Sequence, residues 1–283
     1  MFSDKKIQLA SAVVLSLFLA ACGGGGGGDS SPADSQNQSQ DTPKPTPESG
    51  GNWTYQGSAP TVTGVYGKVA VVRAPATMSS SSIVSPTINS SGAPLSAVEQ
   101  RADYGGAFTT LGTSGSTVSL TSQGVIADIA GTGGYVAIGR WTNGSDSGGG
   151  NFNANQGAHY VVGNPLKLQS GTGTLACTSA FATKPTAVSG NTAPGTLVSA
   201  TGTLDLATLT VKDFKVTVTI GSDTEASATK ASALAGGQSM GGGMNVMTQV
   251  VGADAAHPLL GILYAAKLPN TGDVNGAVVL ACN

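Results

Sequence analysis

Few side chains in this sequence could do chemistry, and their spacing gives them little to work with. The loop GSDSGGG at residues 144–150 offers Ser147 as a nucleophile. A serine is activated by a histidine base that an acidic partner orients. The two histidines, His159 and His257, both follow Ser147 and stand far from each other. No G-x-S-x-G elbow between a strand and a helix is present, so the loop reads as a solvated hairpin turn. Met240, Met244 and Met247 lie close together in SMGGGMNVM, and thioethers suit Cu(I). On a strand, methionine is also a flexible core filler, which is the reading taken. His159 beside Tyr160 in AHYVVG could ligate haem iron, or the two could be neighbours in a barrel wall. Strings such as GTGGYVAIG and GTGTLA lack the following helix that a phosphate cradle needs. The sequence therefore leads us to expect no enzyme, no catalytic residue, no metal ligand and no cofactor. Two loops are candidates for binding: SGTGT before Leu175, and FATKPTAVSGNTAPG with Lys184, Pro185 and Pro194. Function concentrates in loops over a rigid scaffold, but no residue in either can be named as a ligand contact.

The three cysteines carry more information. Lys5 and Lys6 precede an apolar run at residues 7–21, of secretory rather than membrane-spanning length. It ends in Leu19, Ala20, Ala21 and Cys22, which resembles a bacterial lipobox. The expectation is a lipoprotein signal peptide at 1–21, with Cys22 acylated and held in outer-membrane lipid. Gly23 stands where an aspartate would resemble an inner-membrane retention signal. Residues 22–52 are rich in Gly, Ser, Asp, Gln and Pro, a composition that cannot offset the entropy of ordering. They read as a disordered tether reaching roughly 30 Å. Cys177 and Cys282 then remain as an even pair in an oxidising compartment, which reads as a disulfide. Two buried thiols on neighbouring strands are the alternative.

These residues need a scaffold, and composition points to strands. Charged residues are 10% of the chain, glycines number 42 of 283, and the formal net charge is −2. Glu, Lys, Gln and Arg are scarce beside Val, Thr and Gly, so short strands between tight turns are expected. No basic cluster exists to neutralise phosphates, which excludes a nucleic-acid partner. Trp53 to Ala74 reads as strands, and 75–101 as a Ser/Pro-rich loop with one short helix in LSAVEQRADY. Phe214, Val216, Val218 and Ile220 alternate with Lys215, Thr217 and Thr219, a strand with one wet face. In TLDLATLTV the apolar phase slips between Leu206 and Leu209, which predicts a bulge or bend. Aromatics are 5% and are not banded, so a membrane-spanning barrel is not indicated.

From Gly139 onward, GRWTNG, HYVVGNP, GTGTLACTSAFATKPT, GTLVSATGTLDLATLTVKDFKVTVTI and GAVVL form a recognisable series. It resembles the C-terminal eight-stranded barrel of transferrin-binding-protein-B-like surface lipoproteins, a class that includes factor H binding protein and haem-binding relatives. The lipobox and polyglycine at Cys22–Gly28 are shared with many members. The segment LTVKDF, with a strand ending at Asp213 and Phe214, carries most of the likeness. SMGGGMNVMTQ replaces the usual glycine–aromatic strand, and GAVVLACN lacks the usual charged finish. The resemblance implies an all-β chain with a small closed antiparallel barrel of about eight strands at 134–283. A smaller β-rich region at 53–133 would precede it. The implied function is a non-enzymatic, surface-exposed outer-membrane lipoprotein that binds a host protein, haem or a metal carrier. A periplasm-facing structural or assembly lipoprotein is the alternative.

Overall fold

The computed structural model describes residues 52–101, 106–121 and 123–283. Cys22, the expected signal peptide and all of the expected tether but Asn52 lie outside them. The described chain is all-β. It begins with β1 (Asn52–Gly57), β2 (Lys68–Arg73) and β3 (Ile88–Pro94), then three short strands: β4 (Glu99–Gln100), β5 (Phe108–Gly112) and β6 (Thr117–Ser119). β7 (Gln123–Thr132) and β8 (Val136–Thr142) form a hairpin, followed by β9 (Gly144–Ser145), β10 (Asn151–Phe152) and β11 (Ala158–Gly163). Next come β12 (Thr174–Ala182), β13 (Thr186–Ala187), β14 (Thr196–Asp205), β15 (Thr210–Ile220) and β16 (Asp223–Leu234). The chain finishes with β17 (Gly237–Ser239), β18 (Met244–Val251), β19 (Leu259–Leu268) and β20 (Gly272–Cys282). The helix expected in LSAVEQRADY shrinks to a 3-10 turn at Leu95–Ala97, and β3 forms inside the stretch read as loop.

Six strands make the first sheet, in the order β1-β7-β8-β11-β2-β3. β1 runs parallel to β7, and the other pairs are antiparallel. Residues 133 and 134, where the sequence suggests a boundary, form the turn of the β7–β8 hairpin. Gly133 and Gly134 both have positive φ there, and with Tyr135 they make the loop between paired Thr132 and Val136. The strands β2, β8 and β11 are buried along nearly their whole length, because both faces of this sheet are covered. One face packs under the small β4-β5-β6 sheet around Phe108, Trp141 and Tyr160. The other meets the second sheet through Val72, Val136, Ile138 and Val161.

The second sheet runs β16-β15-β14-β12-β20-β19-β18-β17, antiparallel throughout, with β13 also pairing with β20. Its eight principal strands curl strongly around a core that includes Phe214, Val216, Val246, Ile262, Tyr264 and Leu280. The closed barrel expected from the sequence is instead an open half-barrel: among the described residues no ladder joins β16 to β17. The reason is local. β17 is three residues long, and the chain then leaves the ladder at Met240 into Gly241, Gly242 and Gly243, all with positive φ. Too little strand remains to zip the seam. Side chains lace it instead. Lys230 Nζ donates to the carbonyls of Met240 (2.8 Å), Gly241 (2.7 Å) and Met244 (3.1 Å), and the Leu234 N–H donates to Ser239 Oγ (3.1 Å).

The alternation at Phe214–Ile220 is as read: the four apolar residues are buried and Lys215 is exposed. The phase slip in TLDLATLTV is a hairpin turn, since Asp205 pairs with Thr210. The bulge sits further on, where Asp213, at φ 51°, kinks β15 opposite Gly202. Thr210 to Phe214 of LTVKDF thus lie within one continuous strand rather than ending it. Cys177 and Cys282 face each other across β12 and β20 and are bonded. In both large sheets a tyrosine lies over a cross-strand glycine. A Cβ on Gly139 would meet Tyr160 Oη at 2.2 Å, and one on Gly276 would meet Tyr264 Oη at 2.5 Å. That close approach is why these strands carry glycine.

Candidate functional site

The residues singled out for chemistry are taken up by structure. Ser147 Oγ accepts the Ser119 N–H (2.9 Å), and the Ser147 N–H donates to the Ser119 carbonyl (2.8 Å), latching the loop to β6. The neighbour that matters is Asp146. It is buried against Arg73 in an ion pair, and its other oxygen accepts the N–H groups of Gly148 (2.9 Å) and Gly150 (3.0 Å). The three methionines diverge. Met244 lines the half-barrel interior, Met247 faces the first sheet, and Met240 is exposed. Residues 244 and 247 differ by an odd number along one strand, so they lie on opposite faces.

His159 and Tyr160 diverge for the same reason. Tyr160 Oη donates to the Gly106 carbonyl (3.0 Å) beneath the small sheet. His159 points the other way, into a polar knot between the two large sheets. Its Nδ1 lies 2.7 Å from Thr183 Oγ1, and its Nε2 lies 3.0 Å from Thr186 Oγ1 and 3.2 Å from Asn275 Oδ1. Asn275 Nδ2 in turn donates to the carbonyls of Ala76 and Met78. One proton arrangement satisfies the knot: the Thr183 hydroxyl donates to Nδ1 and Nε2–H donates to Asn275. Burial, reinforced by the Arg140 cation, pushes the His159 pKa well below its ordinary value, against the opposing effect of the hydrogen bond it donates to Asn275. A neutral, fully occupied imidazole has no lone pair to offer iron, so the haem reading of His159–Tyr160 has no geometric support.

The FATKPTAVSGNTAPG segment takes a different form from the free loop expected. Thr183, Thr186 and Ala187 are buried, and Thr186–Ala187 continues along β20 as β13. Beside it the second sheet comes apart. β12 pairs with β14 from Thr174↔Asp205 to Thr178↔Thr201 and then stops. Contact resumes only where the Gly195 N–H reaches the Pro185 carbonyl (2.8 Å). Each strand bulges in the interval, with Ala180 the extra residue against β20 and Val198 the extra residue against β15. The result is a lens-shaped opening of about 310 Å³ lined by residues 179–184, Thr196 and Leu197. Val198, at its edge, is 49% exposed.

Ala176 exchanges both hydrogen bonds with Asn283 on the β20 side. An antiparallel strand alternates the side its peptide groups face, so Ser179 faces β14 just where that ladder ends. Asp128 borders the site: its Oδ2 accepts the Lys184 N–H (3.0 Å) and Arg140 Nε (2.8 Å). Arg140 offsets the charge of that carboxylate, and the exposed Lys184 ammonium has no ion pair among the described residues. The sequence singled out the segment that holds Lys184 but not Ala180 or Val198. Adjacent Leu197 and Val198, which break the alternation of β14, were the available signal.

No protein-family model, curated protein or solved structure matches the chain.

Proposed function

We propose that this chain is a non-enzymatic binding module of the bacterial outer surface, lipid-anchored through Cys22. Its partner would be a host protein or a carrier of haem or metal, taken up as intact protein. The observation that carries this reading is the interrupted β12–β14 ladder. A ladder break beside an exposed valine and a cation without an ion pair lies on a sheet that is otherwise paired strand to strand. Such a feature costs stability and offers a contact surface. The occupied states of Ser147, His159 and Lys230 support binding over catalysis. In this reading the half-barrel is a counterpart of the closed eight-stranded barrel of transferrin-binding-protein-B-like lipoproteins, with one seam unladdered.

The test combines anchoring and exposure. Wild-type protein should incorporate labelled palmitate and fractionate with outer membranes, whereas Cys22→Ala should do neither. Protease added to intact cells should remove the full-length protein while a periplasmic control survives. Protection from the protease would discard the surface reading in favour of a periplasm-facing structural lipoprotein.

A further inference from the structure

The chemistry lining the β12–β14 opening narrows what can occupy it, granted that the protein is a binding module. Ala180, Phe181, Ala182 and Leu197 give it apolar lining. Ser179, Thr183, Thr196 and Lys184 give it polar lining. The charge is one-sided, because Asp128 already holds Arg140 and the Lys184 N–H. An apolar body therefore gains by leaving water along 180–182 and 197, and a single anionic head gains by meeting Lys184. At ~30 Å³ for one water in the liquid, the opening of about 310 Å³ has the volume of roughly ten waters, the scale of a small organic acid. A dianion or a large cofactor fits neither the charge nor the size.

We propose that this opening binds an apolar monocarboxylate, a short acyl acid with its carboxylate at Lys184 and its chain along residues 180–182.

Octanoate is the probe, titrated into the mature chain in solution and followed by backbone amide chemical shifts. Saturable shifts confined to residues 179–184 and 196–198 are expected. Acetate, which lacks the body, and octan-1-ol, which lacks the charge, should each bind at least about tenfold more weakly. Lys184→Met should weaken octanoate by about tenfold and leave octan-1-ol unchanged, a split that misfolding would not produce. Ala180→Trp, at an exposed position, should abolish both. A methyl ester of octanoate that bound as well as the acid would overturn the proposal. So would octanoate shifts scattered over the surface, or shifts unchanged in both variants. If octanoate fails while protease still shaves the protein from intact cells, the acid is discarded and the surface module stands. If octanoate binds but the protein is protected, the site stands and the surface reading falls.

Discussion

Burial removes water from the His159 imidazole, and Arg140 adds a like charge to any imidazolium, so the native ring stays neutral well below its ordinary pKa of 6.5. An unfolded chain takes up a proton there as pH drops through 6.5. Stability is therefore full above that value and lost as pH falls toward the depressed native pKa, by about 1.4 kcal/mol per pH unit. Asp205 adds nothing in this window: the Lys212 ammonium and the Thr208 N–H pull its pKa down to about 2, so its contribution fades only in stronger acid. Urea midpoints of the wild type should drop between neutral pH and about pH 5, and those of His159→Gln should drop less. Equal drops would assign the effect elsewhere. Cys177 and Cys282 make a second residue-scale case. They are 105 residues apart, and the bond shortens the unfolded chain as well as joining β12 to the last strand. Thiol labelling of the denatured, unreduced protein should find neither sulfur free. The double Ser variant should lose about 2–5 kcal/mol of stability.

At the scale of elements, β16 is the exposed liability of the fold. It is twelve residues long, contains no proline and is laddered on one side only. Edge strands invite pairing with other chains, and one natural guard is a charge pointing inward. Lys230 fits that role: it is buried at 7% exposure and its ammonium is shared by three carbonyls across the seam. Lys230→Met should cost about 1–3 kcal/mol, since those carbonyls lose their donor. The same change should increase concentration-dependent association in sedimentation velocity. A variant as stable and as dispersed as the wild type would show that the lacing is incidental. The alternation of β15 was legible from sequence because its outer face is wet. That of β19 and β20 was not, because nearly every position is buried on both sides.

For the molecule as a whole, the layer between the two large sheets decides cooperativity. Val72, Val136, Ile138 and Val161 pack with Met247, Leu263 and Val279, and the His159–Asn275 knot crosses the same layer. Neither sheet could expose this face alone without opening apolar surface to water. Calorimetry of the mature chain should give one transition with equal calorimetric and van't Hoff enthalpies. Two separate transitions would show that the sheets fold as independent bodies. Sequence divided the chain at 133/134 because strand density rises there. The pairs β7–β8 and β11–β2 instead carry β8 and β11 into the first sheet.

Sequence by itself determined the strand-rich class, the wet and dry faces of β15 and the glycine turns. These follow from the period of side chains and from φ restrictions, which act within a few residues. It also marked Cys177 and Cys282 as a pair and Lys184 as part of a segment worth watching. Tertiary structure decided which strands neighbour which, that the half-barrel stays open at β16, and that Ala180 and Val198 bulge together to part β12 from β14. A strand's pattern tells which face is buried but not which edge it will meet. A one-residue bulge is visible only once both partners of the ladder are in place.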